Sequence, residues 1–290
     1  MIEIKNVCYH NPPGAFSHIY TVLDWVHNSL YTNEKIFINW NCGFDGNLWD
    51  IFFEQPNFSS INDRHLVVTN ARSKNDVFEN INDVIPIYNK YNGYYCNNVN
   101  VFQDDQFSYI RNEYNKAWSS ITIKDDIRNY VNTFTQKFKD SKVLGVAVRC
   151  PTHYFVNSID SNVFLHNQLD PNLFYQKIIS EIETEFIKNN YNKIFICCDV
   201  QPFIDLMISK FGEDVILYTE YERVKDLNQD WFVKNTPIEE EYKMVILDSL
   251  ILSNCNYLMG SSSNIFLITL FINKMVNFKL FEVLNNSYGL

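Results

Sequence analysis

Residues 192–212, NKIFICCDVQPFIDLMISKFG, combine the two patterns that decide the fold of this chain. Residues 192–199 hold a short apolar run that is typical of a buried strand and ends on Asp199. The remainder carries apolar residues at helical spacing and stops at Gly212, a residue type common just past a helix end. A strand followed directly by a helix is part of a βαβ unit.

The same alternation continues on both sides of this stretch. Further strands are expected over residues 142–148, 214–220 and 256–260, and further helices over 171–190, 238–254 and 263–273. The first half repeats the pattern more loosely, with strands expected over 2–7, 35–41 and 65–70 and helices over 18–31 and within 108–139. In the last of these the apolar face comprises Ile127, Tyr130, Val131, Phe134 and Phe138.

Alternating strands and helices predict an α/β protein with parallel sheets. We expect two Rossmann-like domains facing a cleft, an N-terminal one over residues 1–140 and a C-terminal one over residues 141–290. Ligands in such sheets bind beyond the carboxyl ends of the strands. Arg149, Asp199 and the stretch 261–264 each follow a predicted strand, so we expect them on one rim.

Composition excludes several classes of protein. The 290-residue chain has a net charge of -10 and no basic run, which argues against a nucleic-acid partner. Its seven cysteines are scattered without a CxxC pair, so neither a disulfide framework nor a metal site is expected. No stretch has about 20 clean apolar residues, so we predict no transmembrane segment and a cytoplasmic location.

Two candidate groups are suited to an anion. Arg149 at a strand end is a fork donor suited to phosphate, although a salt-bridged surface arginine fits the same pattern. Ser261, Ser262 and Ser263 lie between a strand and a helix, where hydroxyls and free backbone N–H groups bind anions. Plain capping of the helix explains the serines equally well.

Four further residues are candidates for the site. Asp248 lies well inside its predicted helix, where a carboxylate could pair with a guanine edge or simply face solvent. Asp199 is expected first to order the turn after its strand and only then to contact a ligand. Gly14 and His18 belong to a loop and helix start after the first strand that would face the cleft.

Five segments in order resemble one protein family. In the second half these are VRCPT (148–152), IFICCD (194–199) and VILDSLILSNCNYLMGSSSN (245–264). In the first half they are PPGAFSHIYTVLDWVHNSL (12–30) and FINWNCGFDGNLWDIFFEQP (37–56). Together they resemble the alpha-1,6-fucosyltransferase and nodulation fucosyltransferase superfamily, including its bacterial and viral members.

The resemblance implies a glycosyltransferase of the GT-B architecture that uses a nucleotide sugar, most often GDP-fucose, on a glycan acceptor. It implies an inverting reaction without a metal or other cofactor. Arg149 matches the arginine that binds the β-phosphate, and Asp248 matches the aspartate that pairs with guanine. Ser262 and Ser263 match the phosphate-binding serine and cannot be separated by alignment.

The chain departs from the family pattern around the catalytic base. Ala147 stands where the family has a histidine, and Thr152–His153 follows an extra Pro151 where the family has Thr-Asp. The resemblance therefore leaves Asp160 as the expected base and His153 as the next candidate. A donor with another sugar such as rhamnose, a non-catalytic module that binds a nucleotide or glycan, and a purely structural interaction protein stay open as alternatives.

Overall fold

The computed structural model describes residues 2–7, 15–32, 36–41, 45–56, 66–69, 102, 107–148, 171–225, 236–261 and 263–282. The strands are β1 (Ile2–Val7), β2 (Ile36–Asn41), β3 (Leu66–Thr69), β4 (Val143–Val148), β5 (Lys193–Cys198), β6 (Ile216–Leu217), β7 (Tyr257–Gly260) and β8 (Asn277–Leu280). The helices are α1 (Ala15–Thr32), α2 (Trp49–Phe52), α3 (Phe107–Ser119), α4 (Asp125–Thr135), α5 (Pro171–Lys188), α6 (Gln201–Phe211), α7 (Ile238–Leu252) and α8 (Asn264–Ile272). A 3-10 turn, Gln136–Phe138, follows α4.

The strands form two sheets in which every pair is parallel. The order is β2-β1-β3 in the first sheet and β6-β5-β4-β7-β8 in the second. The second order is that of a Rossmann sheet, in which the chain starts in the middle, runs to one edge and returns to build the other. The expected α/β class with parallel sheets is therefore confirmed.

Helices cover both faces of the second sheet, so its strands are apolar on both sides. Alternate residues of β4 point to opposite faces: Val143 and Ala147 join the core under α7 and α8, while Leu144, Val146 and Val148 join the core under α5 and α6. All six β4 residues are buried. This two-sided burial explains why β4 reads as a continuous apolar run.

One hydrophobic core joins elements from both halves of the chain. Trp40 of β2 stacks on Tyr242 of α7 with ring centroids 5.2 Å apart. Phe134 of α4 meets Phe195 of β5 edge-on at 5.4 Å. Both pairs belong to a single cluster of buried residues, so elements on either side of residue 140 pack on shared neighbours. The division into domains at that residue stays a prediction.

The NLWDIFFEQP segment protects an edge of the first sheet. Asn47 accepts from the Trp40 backbone N–H at 2.8 Å and donates to the Ile38 carbonyl at 2.7 Å. Gln55 accepts from the Ile38 N–H at 3.0 Å and donates to the Ile38 carbonyl at 2.9 Å. These two amides satisfy backbone groups along β2 in the way that another strand would. The polar side chains of this segment therefore have a structural role in this protein.

Three details differ from the sequence-based expectation. The strand expected over residues 214–220 is limited to Ile216–Leu217, because the carbonyls of Thr219 and Tyr221 accept from the Arg223 side chain. Tyr130, placed on the apolar face of α4, is 42% exposed. The strand β8 has no counterpart among the predicted elements.

Candidate functional site

The strand order of the second sheet reverses between β4 and β7, which is where such sheets bind ligands. At this point the Ser261 backbone N–H donates to the Ala147 carbonyl at 3.2 Å. The hydrogen bond brings the start of the β7–α8 connection against the carboxyl end of β4. Arg149 comes directly after β4 in the chain, and it lies outside the described residues, as do His153, Asp160 and Gly14.

The serines after β7 have different roles in the structure. Ser263 is the N-cap of α8, and its hydroxyl accepts from the Phe266 backbone N–H at 3.3 Å. Ser262 lies outside the described residues. Ser261 is only 2% exposed, and its hydroxyl has no hydrogen-bond partner among the residues the structure describes. A buried hydroxyl without a partner is costly, which marks Ser261 as the serine that lacks a structural explanation.

Ser261 and the first turn of α8 together form an arrangement suited to an anion. The first N–H groups of a helix have no partner within the helix, and the helix dipole favours negative charge at this end. The Ser261 hydroxyl adds a buried donor beside them. The sequence pattern predicts this role for all three serines, and the family resemblance narrows it to Ser262 and Ser263. The burial of Ser261 and the lack of a partner among the described residues are visible only in three dimensions.

Asp248 lies at the centre of a buried polar cluster between α7 and the carboxyl end of β5. It is 1% exposed. Its two oxygens accept from the Thr219 hydroxyl at 2.5 Å and from the Tyr221 hydroxyl at 2.8 Å. Burial raises the pKa of Asp248 to about 6, while bonds from Thr219, Tyr221 and Cys197 and the charge of Arg223 act in the opposite direction. The alternative of a solvent-facing aspartate is wrong.

Arg223 fixes the segment that supplies these hydroxyls. Its guanidinium donates to the carbonyls of Cys198 at 3.0 Å and Thr219 at 2.7 Å. It also lies over the Tyr221 ring, 3.8 Å from the centroid. Because this arginine is 4% exposed and its donors face carbonyls, it holds the segment after β6 against the end of β5. Sequence analysis did not single it out, because its bond to the Cys198 carbonyl joins residues that are 25 positions apart in the chain.

The engagement of Asp248 has a consequence for base recognition. Both carboxylate oxygens already accept hydroxyl protons. Each oxygen keeps a further lone pair, but Asp248 is 1% exposed, so a guanine edge can approach it only if a neighbouring side chain moves its hydroxyl to another acceptor. Tyr221 has one within reach, because its oxygen is 3.2 Å from the Cys198 carbonyl. The pairing role of Asp248 stays a prediction with this rearrangement attached to it.

The other predicted positions are placed as follows. Asp199 follows β5, and its carbonyl accepts from the Val224 N–H at 3.0 Å, which extends the pairing of β5 beyond the strand. This bond uses the backbone alone, so the expected role of the Asp199 side chain in ordering the turn stays a prediction. His18 lies in the first turn of α1.

Neither a metal centre nor a membrane segment is evident in the described part of the chain. Its His, Cys, Asp and Glu residues form no group of three or more that could hold a metal ion. None of its helices is long and apolar enough to cross a bilayer. The described thiols Cys197, Cys198 and Cys255 are all buried and free.

Comparison with known proteins finds similarity in structure alone. No protein-family model and no curated protein sequence matches the chain. NodZ alpha-1,6-fucosyltransferase co-crystallized with GDP is similar with a TM-score of 0.52 and 11% identity, over 95% of this chain and 92% of that one. Fucosyltransferase NodZ from Bradyrhizobium, as the selenomethionine protein, gives a TM-score of 0.51 at 12% identity over the same shares.

A second protein of this kind also covers nearly the whole chain. POFUT1 in complex with GDP-fucose has a TM-score of 0.52 and 9% identity, over 97% of this chain and 98% of that one. At identities this low, the structural similarity establishes the fold alone, and the chemistry has to be argued from the residues of the site. The resemblance expected from the sequence is confirmed at that level: this chain has the fucosyltransferase-like fold that these structures share.

Proposed function

We propose that this protein is a glycosyltransferase that transfers a sugar from a nucleoside diphosphate donor, most favourably GDP-fucose, to a glycan acceptor. The observation that carries the proposal is the place of Ser261. Its hydroxyl is buried and has no partner among the residues that the structure describes, and Ser261 lies at the reversal point of the sheet, two residues before the N-cap of α8. NodZ and POFUT1, which share the fold, have structures with GDP and GDP-fucose respectively.

In the proposed complex the diphosphate lies over the start of α8, where Ser261 and backbone N–H groups would bind its oxygens. Arg149 follows β4 at the same edge and would add a bidentate contact. The nucleoside would extend toward the Asp248 cluster at the end of the neighbouring β5. A GT-B arrangement, with the acceptor held by the N-terminal half, belongs to the same proposal.

The reaction in this proposal is a displacement with inversion. The acceptor hydroxyl attacks the anomeric carbon, a glycosidic bond forms, and the bond to the β-phosphate oxygen breaks. A general base takes the proton from the hydroxyl, and the Asp160 carboxylate is the leading candidate with the His153 imidazole second. The diphosphate leaves with its new charge facing Ser261, Arg149 and the α8 N-terminus, without a metal.

Nucleotide selectivity tests the binding half of this proposal. GDP is expected to raise the melting temperature more than UDP or CMP does, because only guanine presents two N–H donors to one carboxylate. Equal shifts with all three nucleotides, or none, would count against a guanine site. Incubation with a panel of GDP- and UDP-sugars, with release of the nucleotide measured, then tests turnover and the choice of sugar.

One observation favours a second candidate, a module that binds the nucleotide without turnover. Ala147 stands where the family has a histidine, and its methyl group is buried in the core under α7 and α8. The alanine methyl group at this position can neither donate nor accept a proton. GDP binding without release of GDP from any donor, even with acceptors present, would select this function over the enzyme.

A further inference from the structure

The C-terminal end of α8 is clamped by a residue far away in sequence. Arg111 of α3 donates from Nε to the Leu270 carbonyl at 3.2 Å, and from Nη2 to the carbonyls of Asn273 and Val276 at 2.9 Å each. The last carbonyls of a helix have no partner within it, so Arg111 satisfies groups that would otherwise be left open. Its positive charge also lies at the negative end of the helix dipole.

Asn115, one turn further along α3, completes the clamp. Its side-chain amide donates to the Phe271 carbonyl at 2.9 Å and to the Ile272 carbonyl at 3.0 Å. Arg111 and Asn115 together engage the carbonyls of the last three α8 residues and of two residues that follow. Because these bonds point in several directions, they restrain both the tilt and the rotation of α8.

A chain of packed rings connects this clamp to the other end of the helix. The Arg111 guanidinium lies 5.5 Å from the centroid of Phe278, whose ring is 6.0 Å from that of Phe266 in the first turn of α8. The Phe266 ring presses on Gly260, where an added Cβ would come within 2.4 Å of ring carbon Cδ2. Gly260 directly precedes Ser261, so the contacts reach the proposed anion site without a gap.

We propose that Arg111 and Asn115 are positioning residues for the diphosphate end of the nucleotide site, an inference that rests on the proposed function. They touch no ligand themselves. They hold the C-terminal end of α8 in place, and thereby orient its N-terminal N–H groups and the Ser261 hydroxyl toward the same ligand. Since the clamp comes from the first half of the chain, α3 belongs functionally to the nucleotide site.

Calorimetric titration with GDP and with inorganic pyrophosphate tests this role in the full chain. Arg111→Ala is expected to weaken both ligands by a similar factor, about tenfold, at a temperature where circular dichroism shows the variant folded. Added methylguanidinium is expected to restore part of the loss. Asn115→Ala should weaken both ligands less, and Arg111→Lys should fall between Arg111→Ala and the parent, because one amine cannot bond all three carbonyls.

Arg128→Gln is the matched control, because it removes an equal charge from an exposed side chain that pairs with Asp125 at 3.0 Å. It should bind both ligands like the parent. If Arg111→Lys and Asn115→Ala melt at lower temperature but bind pyrophosphate within about twofold of the parent, the clamp serves stability alone and the inference is wrong. A parent protein that binds neither ligand overturns the proposed function itself, and the inference with it.

Discussion

The carboxylate of Asp248 and the hydroxyl of Tyr221 lie 2.8 Å apart, in a hydrogen bond that joins the middle of α7 to the segment after β6. Since the Thr219 hydroxyl donates to the other oxygen at 2.5 Å, one aspartate holds two residues of an otherwise irregular stretch. The buried carboxylate is thus both a structural anchor and the group next to the proposed nucleoside pocket. The two roles make different predictions.

Asp248→Asn is expected to change how stability depends on pH. The native carboxyl keeps its proton up to its pKa of about 6, whereas the unfolded chain releases it near the ordinary value of 3.8. The free energy of unfolding therefore falls as pH rises through this interval, by about 3 kcal/mol from this group, and falls no further above it. Urea unfolding of parent and variant across the interval should show that the asparagine removes this component.

A parent whose stability is flat over the interval would show that Asp248 titrates normally. The binding role has its own readout. Asp248→Asn should lower GDP affinity much more than pyrophosphate affinity, since an amide cannot accept both guanine protons.

Tyr221→Phe is expected to destabilise the protein more at high pH than at low pH. The variant leaves one Asp248 oxygen without its tyrosine donor, at a cost of about 1–3 kcal/mol when the carboxylate is charged. The Tyr221 bond lowers the pKa of Asp248, so its loss should raise that pKa further. Unfolding at about pH 8 and about pH 5 measures the difference, and an equal loss at both would argue that the tyrosine contributes only packing.

Ser261→Ala should affect GDP affinity and not stability, whereas Ser263→Ala should affect stability. Removing the unpartnered Ser261 hydroxyl should leave the melting temperature unchanged or raise it, because no hydrogen bond within the described structure is lost. The same change should weaken GDP about tenfold, as loss of a bond to a charged ligand does. Ser263→Ala should cost about 1 kcal/mol of stability, because it removes the α8 cap. If Ser261→Ala binds GDP as tightly as the parent, the Ser261 hydroxyl does not take part in nucleotide binding.

Chelation should leave nucleotide binding intact. The proposed site balances the diphosphate with an arginine, a serine and a helix N-terminus, so EDTA is expected to change neither GDP affinity nor turnover. A loss restored by Mg²⁺ or Mn²⁺ would instead point to a metal that bridges the phosphates.

Asp160→Asn should separate chemistry from binding. If Asp160 is the base, the substitution lowers kcat by about 100-fold or more and leaves GDP affinity within a few-fold. Asp170 is the matched control, because its place directly before Pro171 at the start of α5 suits a helix cap. A variant that turns over at the parent rate would move the assignment to His153.

Most elements of the second half could be predicted because each follows from a local pattern. Helix α5 was expected from apolar residues at three- and four-residue spacing, and β4 from an unbroken apolar run. The expected strand over 214–220 was too long for a reason that no local pattern contains. The Thr219 carbonyl accepts from Arg223, and the Thr219 hydroxyl donates to Asp248, which is 29 residues away.

The sequence by itself determined the alternation of strands and helices, and hence the parallel α/β class. A strand buried on both faces gives an unbroken apolar run, and a helix buried along one stripe gives apolar residues at three- and four-residue spacing. The sequence also placed Asp248 and the serines near strand ends. The tertiary structure alone decided which serine is left without a partner, how Asp248 is satisfied, and that Arg111 closes α8 from 159 residues away. These facts depend on which groups meet after the chain has folded, and hydrogen bonds between distant residues impose no period on the sequence.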